Sequence, residues 1–190
     1  MKCDVILAGV GGQGVLSVSA IIAASALQDD LLVKQSEVHG MAQRGGAVLT
    51  NLRISDEPIH SDIIPRGTAD LILSMEPLES LRYLSWLSPH GTVITSTEPV
   101  TNIPDYPELS EVLAQVRAQP HAVLVDAPKL ARQTSSARSA NVVMVGAAAG
   151  FLPIEPQKIE MYIHDRFVGK GEGVAEANVR AFRLGREAVH

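Results

Sequence analysis

Residues 9–14, Gly9-Val10-Gly11-Gly12-Gln13-Gly14, set four glycines between two apolar runs, and this constrains the fold more than any other stretch. Ahead of them, Val5-Ile6-Leu7-Ala8 is a short continuous apolar run, the pattern of a strand covered on both faces. After them, residues 15–27 are apolar except for Ser17, Ser19 and Ser25. That run is too long for an ordinary strand and predicts a helix packed on several sides. Strand, glycine turn and buried helix together open an α/β domain.

Glycine lacks a Cβ, so it accepts positive φ and lets a ligand approach the backbone. The helix that follows presents unpaired N–H groups and the positive end of its dipole, a setting that suits a phosphate. Gly9, Gly11 and Gly14 satisfy GxGxxG, a pattern that also serves a plain strand-to-helix turn. A dinucleotide fold adds an acidic residue roughly 20 residues on, at the end of its second strand. Glu37 is the only candidate, and Lys34, Gln35 and Ser36 precede it where a buried strand would still be apolar. NAD binding is therefore not favoured.

Composition removes other classes. Aromatic residues make up 4% of the chain and the net charge is -5, which argues against a stacking platform or basic groove for nucleic acid. Cys3 is the sole cysteine, so the chain cannot hold an iron–sulfur cluster or a thiolate zinc site by itself. No apolar run approaches the ~20 residues that span a bilayer, and Asp4 with the glycines interrupts any signal-peptide pattern. A cytoplasmic location is expected, with no membrane contact.

The alternation then continues along the chain. Leu31-Leu32-Val33 begins a second strand, whose polar continuation points to an edge or a site. Residues 47–54 alternate as a strand, with Asn51 and Arg53 on one side and Leu52 and Ile54 on the other. Residues 59–64 are expected to return beside it as a hairpin, with His60 and Arg66 at the surface. Residues 69–75 form a strand. Glu76-Pro77 opens a helix through about Leu87, stopped by Pro89-His90-Gly91 before a strand at 92–96. An amphipathic helix over 108–117 and a strand over 122–126 follow. Asp126 and Lys129 stand at the carboxyl end of that strand, where open α/β sheets bind ligands, although Asp126 suits a cap or turn better. Helices are expected over 140–150, 157–167 and 173–188, with the glycine-rich 168–173 as a hinge. The fold class is α/β: a mostly parallel Rossmann-like sheet with a β-hairpin insertion and a helical C-terminal portion, in a single domain over residues 1–190.

A second stretch, Ser36-Glu37-Val38-His39-Gly40-Met41-Ala42-Gln43-Arg44-Gly45-Gly46, combines acid, imidazole, amide, guanidinium and three glycines without hydrophobic periodicity. Arg44 can grip a phosphate or carboxylate in a fork, and His39 titrates near neutrality. Gly40, Gly45 and Gly46 allow close backbone approach. A glycine-hinged surface turn is the bland alternative.

Taken with Asn141, Gly146 and the closing Asn178-Val179-Arg180-Ala181-Phe182-Arg183-Leu184-Gly185, these two stretches resemble the gamma-type subunit or domain of 2-oxoacid:ferredoxin oxidoreductases over nearly the whole chain. The His39-Gly40-Met41-Ala42-Gln43-Arg44-Gly45-Gly46 form is most similar to the beta subunit of indolepyruvate ferredoxin oxidoreductases. Other gamma subunits tend to carry a tyrosine-glycine-proline-glutamate version before the Arg-Gly-Gly. The resemblance implies a non-autonomous oxidoreductase subunit. Its complex would decarboxylate an aryl 2-oxoacid on thiamine diphosphate, pass electrons through iron–sulfur clusters to ferredoxin, and transfer the acyl group to coenzyme A. The clusters, thiamine diphosphate and its Mg are expected on a large catalytic partner subunit. This chain is expected to close the active site and help bind coenzyme A through Gly9, Gly11, Gly12, Gln13, Gly14, Gln43, Arg44, Gly45 and Gly46. His39 and Gln43 are expected to line the acyl-transfer site, with His39 the one catalytic candidate, and no residue is assigned to a metal. The alternatives are a non-catalytic assembly subunit of that complex and a free-standing NAD-binding oxidoreductase.

Overall fold

The computed structural model of the chain describes residues 1–39, 45–101, 103–134 and 139–189. Its strands are β1 (Lys2–Val10), β2 (Leu32–His39), β3 (Ala47–Ser55), β4 (Ala69–Ser74), β5 (Leu87–Ser96) and β6 (Ala122–Val125). Its helices are α1 (Val15–Leu27), α2 (Pro77–Arg82), α3 (Leu109–Arg117), α4 (Ala127–Ala131), α5 (Ala140–Ala148), α6 (Pro156–Val168) and α7 (Glu172–Glu187). The strands make one sheet in the order β2-β3-β1-β4-β5-β6, and all run the same way except β3, which is antiparallel to both of its neighbours.

The central strands are apolar at consecutive positions because both faces are covered. Val5 and Leu7 of β1, Leu71 and Leu73 of β4 and Ile94 of β5 point to one core, built with α1, α5, α6 and α7. Ile6, Ile72 and Val93, one residue out of step, point to a second core with Ile64 and Val116. Helix α1 is apolar nearly all round because it lies between the sheet, α5 and α6. Among the described residues no helix is long and apolar enough to cross a membrane.

The hairpin is real, but its partners differ from the expected pair. Strand β3 returns from β2, and residues 59–64 are not a strand. Asn51 and Arg53, which look like a solvated face, are instead covered by that segment. Asn51 Oδ1 accepts from the Ile64 N–H at 3.1 Å, and Arg53 Nη1 donates to the carbonyls of Ser61 and Ile63 at 3.0 and 3.2 Å. Arg53 also forks onto the fully buried Asp4, with Nε to Oδ1 at 2.8 Å and Nη2 to Oδ2 at 3.1 Å. These two residues are register partners, so the ion pair pins β1 to β3.

Three other elements depart from expectation. Helix α2 ends at Arg82, and Pro89-His90-Gly91 lies within β5 as an irregularity between the pairs Ala69↔Leu87 and Leu71↔Thr92. The short α4 has no counterpart in the sequence reading, and Asp126 caps it by accepting the Lys129 N–H at 3.0 Å. The 168–173 segment is a closed turn between α6 and α7: the Lys170 and Gly171 N–H groups each donate at 2.9 Å to Phe167 and Val168.

Helices α5 and α7 touch backbone to backbone. A Cβ at Gly146 would lie 2.0 Å from the Phe182 carbonyl oxygen, and one at Gly185 would lie 1.9 Å from that of Val143. Neither contact can relax by moving a side chain, so the helices would have to separate. Gly146→Ala should therefore destabilise the chain by about 2 kcal/mol, since overpacking costs roughly 1–3 kcal/mol and outweighs alanine's better helix propensity only if the helices do part. Urea unfolding measures this; a variant as stable as the parent would contradict the packing.

Candidate functional site

The connection leaving β1 runs through α1 toward β2 on one side, and the connection leaving β4 runs through α2 toward β5 on the other. The chain therefore reverses direction between β1 and β4, and open α/β sheets bind ligands in the crevice at such a point, beyond the carboxyl ends of the strands. The glycine turn sits there.

Its geometry divides the glycines by task. Gly9 is buried in β1, where a Cβ would meet Val15 Cγ2 at 2.8 Å, Gln13 Oε1 at 3.0 Å and Met75 Cβ at 3.1 Å. It lets α1 and β4 close onto β1. Gly12 has φ +104° and open space around its Cβ position, so the backbone is strained for any other residue and approachable from outside. Gly14, at φ +83°, is the N-cap of α1 and faces Asn141, whose Nδ2 would be 3.0 Å from a Cβ there. No side chain caps α1 and no acid stands in its first turn, which leaves its N-terminal N–H groups and dipole to a ligand.

Gln13 braces the turn. Its Oε1 accepts the Val10 N–H at 2.8 Å, and its Nε2 donates to the Met75 carbonyl at 3.0 Å, tying the turn to the end of β4 across the crevice. Beneath this bridge lies a small cleft of about 130 Å³ bordered by Gln13, Met75, Ser96, Asn141 and Met144.

The second glycine stretch arrives at the same place. The ladder between β1 and β3 ends at Val10↔Ala47 and continues as the Gly11 N–H donating to the Gly46 carbonyl at 2.8 Å and the Gly45 N–H donating to the Gly11 carbonyl at 3.3 Å. Gly45 takes φ +79° with open space at its Cβ position. Gly11, Gly12, Gln13, Gly14, Gly45 and Gly46 thus form one surface, while Gly9 supports it from below. Gln43, Arg44 and the side chain of His39 lie outside the described residues.

Two residues missed as site components by the sequence reading stand at this edge. Asn141 abuts Gly14, and its Oδ1 accepts the Val142 N–H at 3.0 Å within the first turn of α5. Glu76, buried just after β4, accepts the Glu79 N–H at 2.7 Å to cap α2. It also takes the Tyr106 hydroxyl and, at 3.4 Å, the Val100 N–H, which latches the 98–107 connection. Both contacts are distant in sequence, and no local pattern marks them.

The dinucleotide alternative fails on topology. Strand β3 occupies the place beside β1, so Glu37 lies two strands from the glycine turn, exposed on edge strand β2. Two strand spacings are about 9.6 Å, too far for the ribose contact. The chain also does not fit a cluster: Cys3 is buried in β1, and burial pushes its thiol up to about 12, away from the thiolate that iron requires. Among the described residues no group of three or more His, Cys, Asp or Glu could hold a metal ion.

The fold and the turn define an α/β domain with a glycine-rich surface at the carboxyl edge of its sheet. The chain matches the pyruvate ferredoxin/flavodoxin oxidoreductase family over residues 4–188 and belongs to it, as a non-autonomous oxidoreductase subunit of the gamma type. It is 38% identical over 195 residues to the indolepyruvate oxidoreductase subunit IorB of Methanothermobacter thermautotrophicus, covering 97% of this chain and 96% of the relative. It is similar to the pyruvate oxidoreductase subunit PORC of Thermotoga maritima, with TM-score 0.74, 25% identity, and 98% of this chain and 96% of that one covered. It also shares the fold of part of the 2-oxoglutarate:ferredoxin oxidoreductase of Magnetococcus marinus, solved with 2-oxoglutarate, coenzyme A and succinyl-CoA bound. There the TM-score is 0.79 at 22% identity, covering 99% of this chain and about a third, 31%, of that longer one.

Replacing Gln13 by methionine removes the brace while keeping bulk, and leaves the Val10 N–H without its partner. Stability should fall by about 1–3 kcal/mol, the cost of an unsatisfied buried donor. Amide exchange at Val10 should accelerate; unchanged stability and exchange would remove Gln13 from this role.

Proposed function

We propose that this chain is the small subunit of a 2-oxoacid:ferredoxin oxidoreductase acting on an aryl 2-oxoacid of the indolepyruvate kind, and that it closes the active site and helps bind coenzyme A. In that reaction the bond between the carboxylate and the oxo carbon breaks and carbon dioxide leaves. An electron pair passes to ferredoxin, and the coenzyme A sulfur takes the acyl group as its thiol proton is lost. Thiamine diphosphate, Mg and the iron–sulfur clusters supply the decarboxylation and electron transfer from the large partner subunit. The whole of residues 1–190 acts as one gamma-type domain, in the cytoplasm.

The observation that carries this reading is the Gly11 to Gly46 hydrogen bond, because it joins two glycine-rich stretches, far apart in sequence, into one ligand-sized wall. The resemblance of the chain to IorB subunits supports the choice of substrate. In this reading the N–H groups of Gly12 and Gly14 and the α1 dipole receive a phosphate of coenzyme A, those of Gly11 and Gln13 being held by the Gly46 and Val10 carbonyls. Arg44, which lies in the sequence between β2 and β3, is assigned the charged fork for that anion by its chemistry and by the family resemblance. Gln13 braces the turn and Gly9 keeps it seated; Gln43 is assigned to the coenzyme A site and His39 to the acyl-transfer step by the family resemblance alone.

In the assembled complex, Arg44→Ala should raise the KM for coenzyme A by tenfold or more, since a charge-assisted hydrogen bond contributes about 1.5–3 kcal/mol. Gly12→Val should act in the same direction, because valine resists φ +104°. An unchanged KM in both variants would contradict the reading. Loss of turnover together with loss of co-elution of the subunits would instead make the chain an assembly subunit.

A further inference from the structure

A groove lined by two cations adjoins the glycine turn. A groove of about 560 Å³ runs between the first turn of α1, the start of α5, the end of α6 and the start of α7. It begins at Ser17, about one helical turn past Gly14, and includes Asn141, which touches that glycine. Its two charged lining residues are both cations, Arg166 and Lys170. The clefts at Asp4 and Arg53, at Glu160 and Asp165, and at Gln13 and Glu98 each have at least one carboxylate on the rim, as expected for a chain of net charge -5.

The cations are also unspent. Nearby Lys158 and Arg183 pair with Asp29 and Glu160, and His164 contacts Glu172. Among the described residues, Arg166 and Lys170 have no carboxylate within ion-pair range. Arg166 Nη1 reaches only the Tyr162 hydroxyl at 3.3 Å, and Lys170 Nζ lies 5.5 Å over the Phe167 ring. Residues from the first turns of α1, α5 and α7 border the groove, at Ser17, Asn141 and Val174. The opposing carbonyl end of α6 is blunted, because Phe167 and Val168 already accept the Lys170 and Gly171 N–H groups.

The geometry points to a phosphate-ester subsite, with Arg166 and Lys170 as its charged clamp and Ser17 and Asn141 leading to it from the glycine turn. It rests on the coenzyme A reading for its source: that ligand carries a phosphate monoester on its ribose, separated from its pyrophosphate by a few bonds. The turn takes the pyrophosphate and the groove takes the monoester.

The test compares coenzyme A with dephospho-coenzyme A, which lacks only that monoester, in the assembled complex. The parent should show a KM lower by about tenfold for coenzyme A, the worth of a charge-assisted contact. The double change Arg166→Gln, Lys170→Gln should bring the ratio of the two KM values to near one, and Arg166→Lys should restore part of it. A ratio that survives the double change overturns the proposal, and if Arg44→Ala still raises the coenzyme A KM, the broader reading stands without it. In parallel, inorganic phosphate, the probe for the monoester, is titrated into the isotopically labelled full chain. Shifts at the Ser17, Asn141 and Lys170 amides, abolished by the double change, support an anion site here even if Arg44→Ala and Gly12→Val leave the coenzyme A KM unmoved. Absence of those shifts counts against it.

Discussion

One antiparallel strand inside an otherwise parallel sheet decides where the chemistry of this domain collects. Because β3 runs against β1, its first residue lies beside the last residue of β1, and the hairpin connection ahead of it is delivered to the carboxyl edge. A parallel strand in that place would bring its far end there instead. The two glycine stretches meet for this reason alone, and the Gly11 to Gly46 hydrogen bond is the last rung of that ladder. The register is held at the opposite end by Asp4 and Arg53. A slip of one residue would turn every β3 side chain to the other face and take the Arg53 fork away from the buried Asp4.

The helical layer matters as much as the sheet. Gly146 and Gly185 allow α5 and α7 to approach until backbone touches backbone, and α5 in turn sets Asn141 against Gly14. The groove that carries Arg166 and Lys170 exists because α6 and α7 are joined by a turn of only a few residues at the same edge. Packing glycines far from the turn thus shape both parts of the site.

Much of the fold was legible in the sequence. The β1 and α1 runs, the α3 stripe and the β6 run declare themselves by apolar length and period, and the polar stretch of β2 does mark an edge strand. Alternation cannot say what covers a polar face: the pattern suggests a hairpin of 47–54 with 59–64, whereas β3 pairs with β2 and the 59–64 segment covers Asn51 and Arg53. Pro89 and Gly91 read as a helix stop, yet an irregular strand accommodates them next to Ala69. At the site, the glycines were legible as a group but their division of labour was not. Gly9 is set apart by Val15 and Met75, and Gly14 by Asn141, through contacts that only the tertiary fold creates.

The central claim is that residues 11–14 and 45–46 form a single wall that meets coenzyme A. Amide hydrogen exchange on the assembled complex, with and without coenzyme A, tests it most directly. The account predicts that peptides spanning 9–17 and 40–48 gain protection together on adding coenzyme A, while peptides from the Met1 end of the sheet do not change. Protection confined to the catalytic partner, with both glycine peptides unchanged, would contradict it.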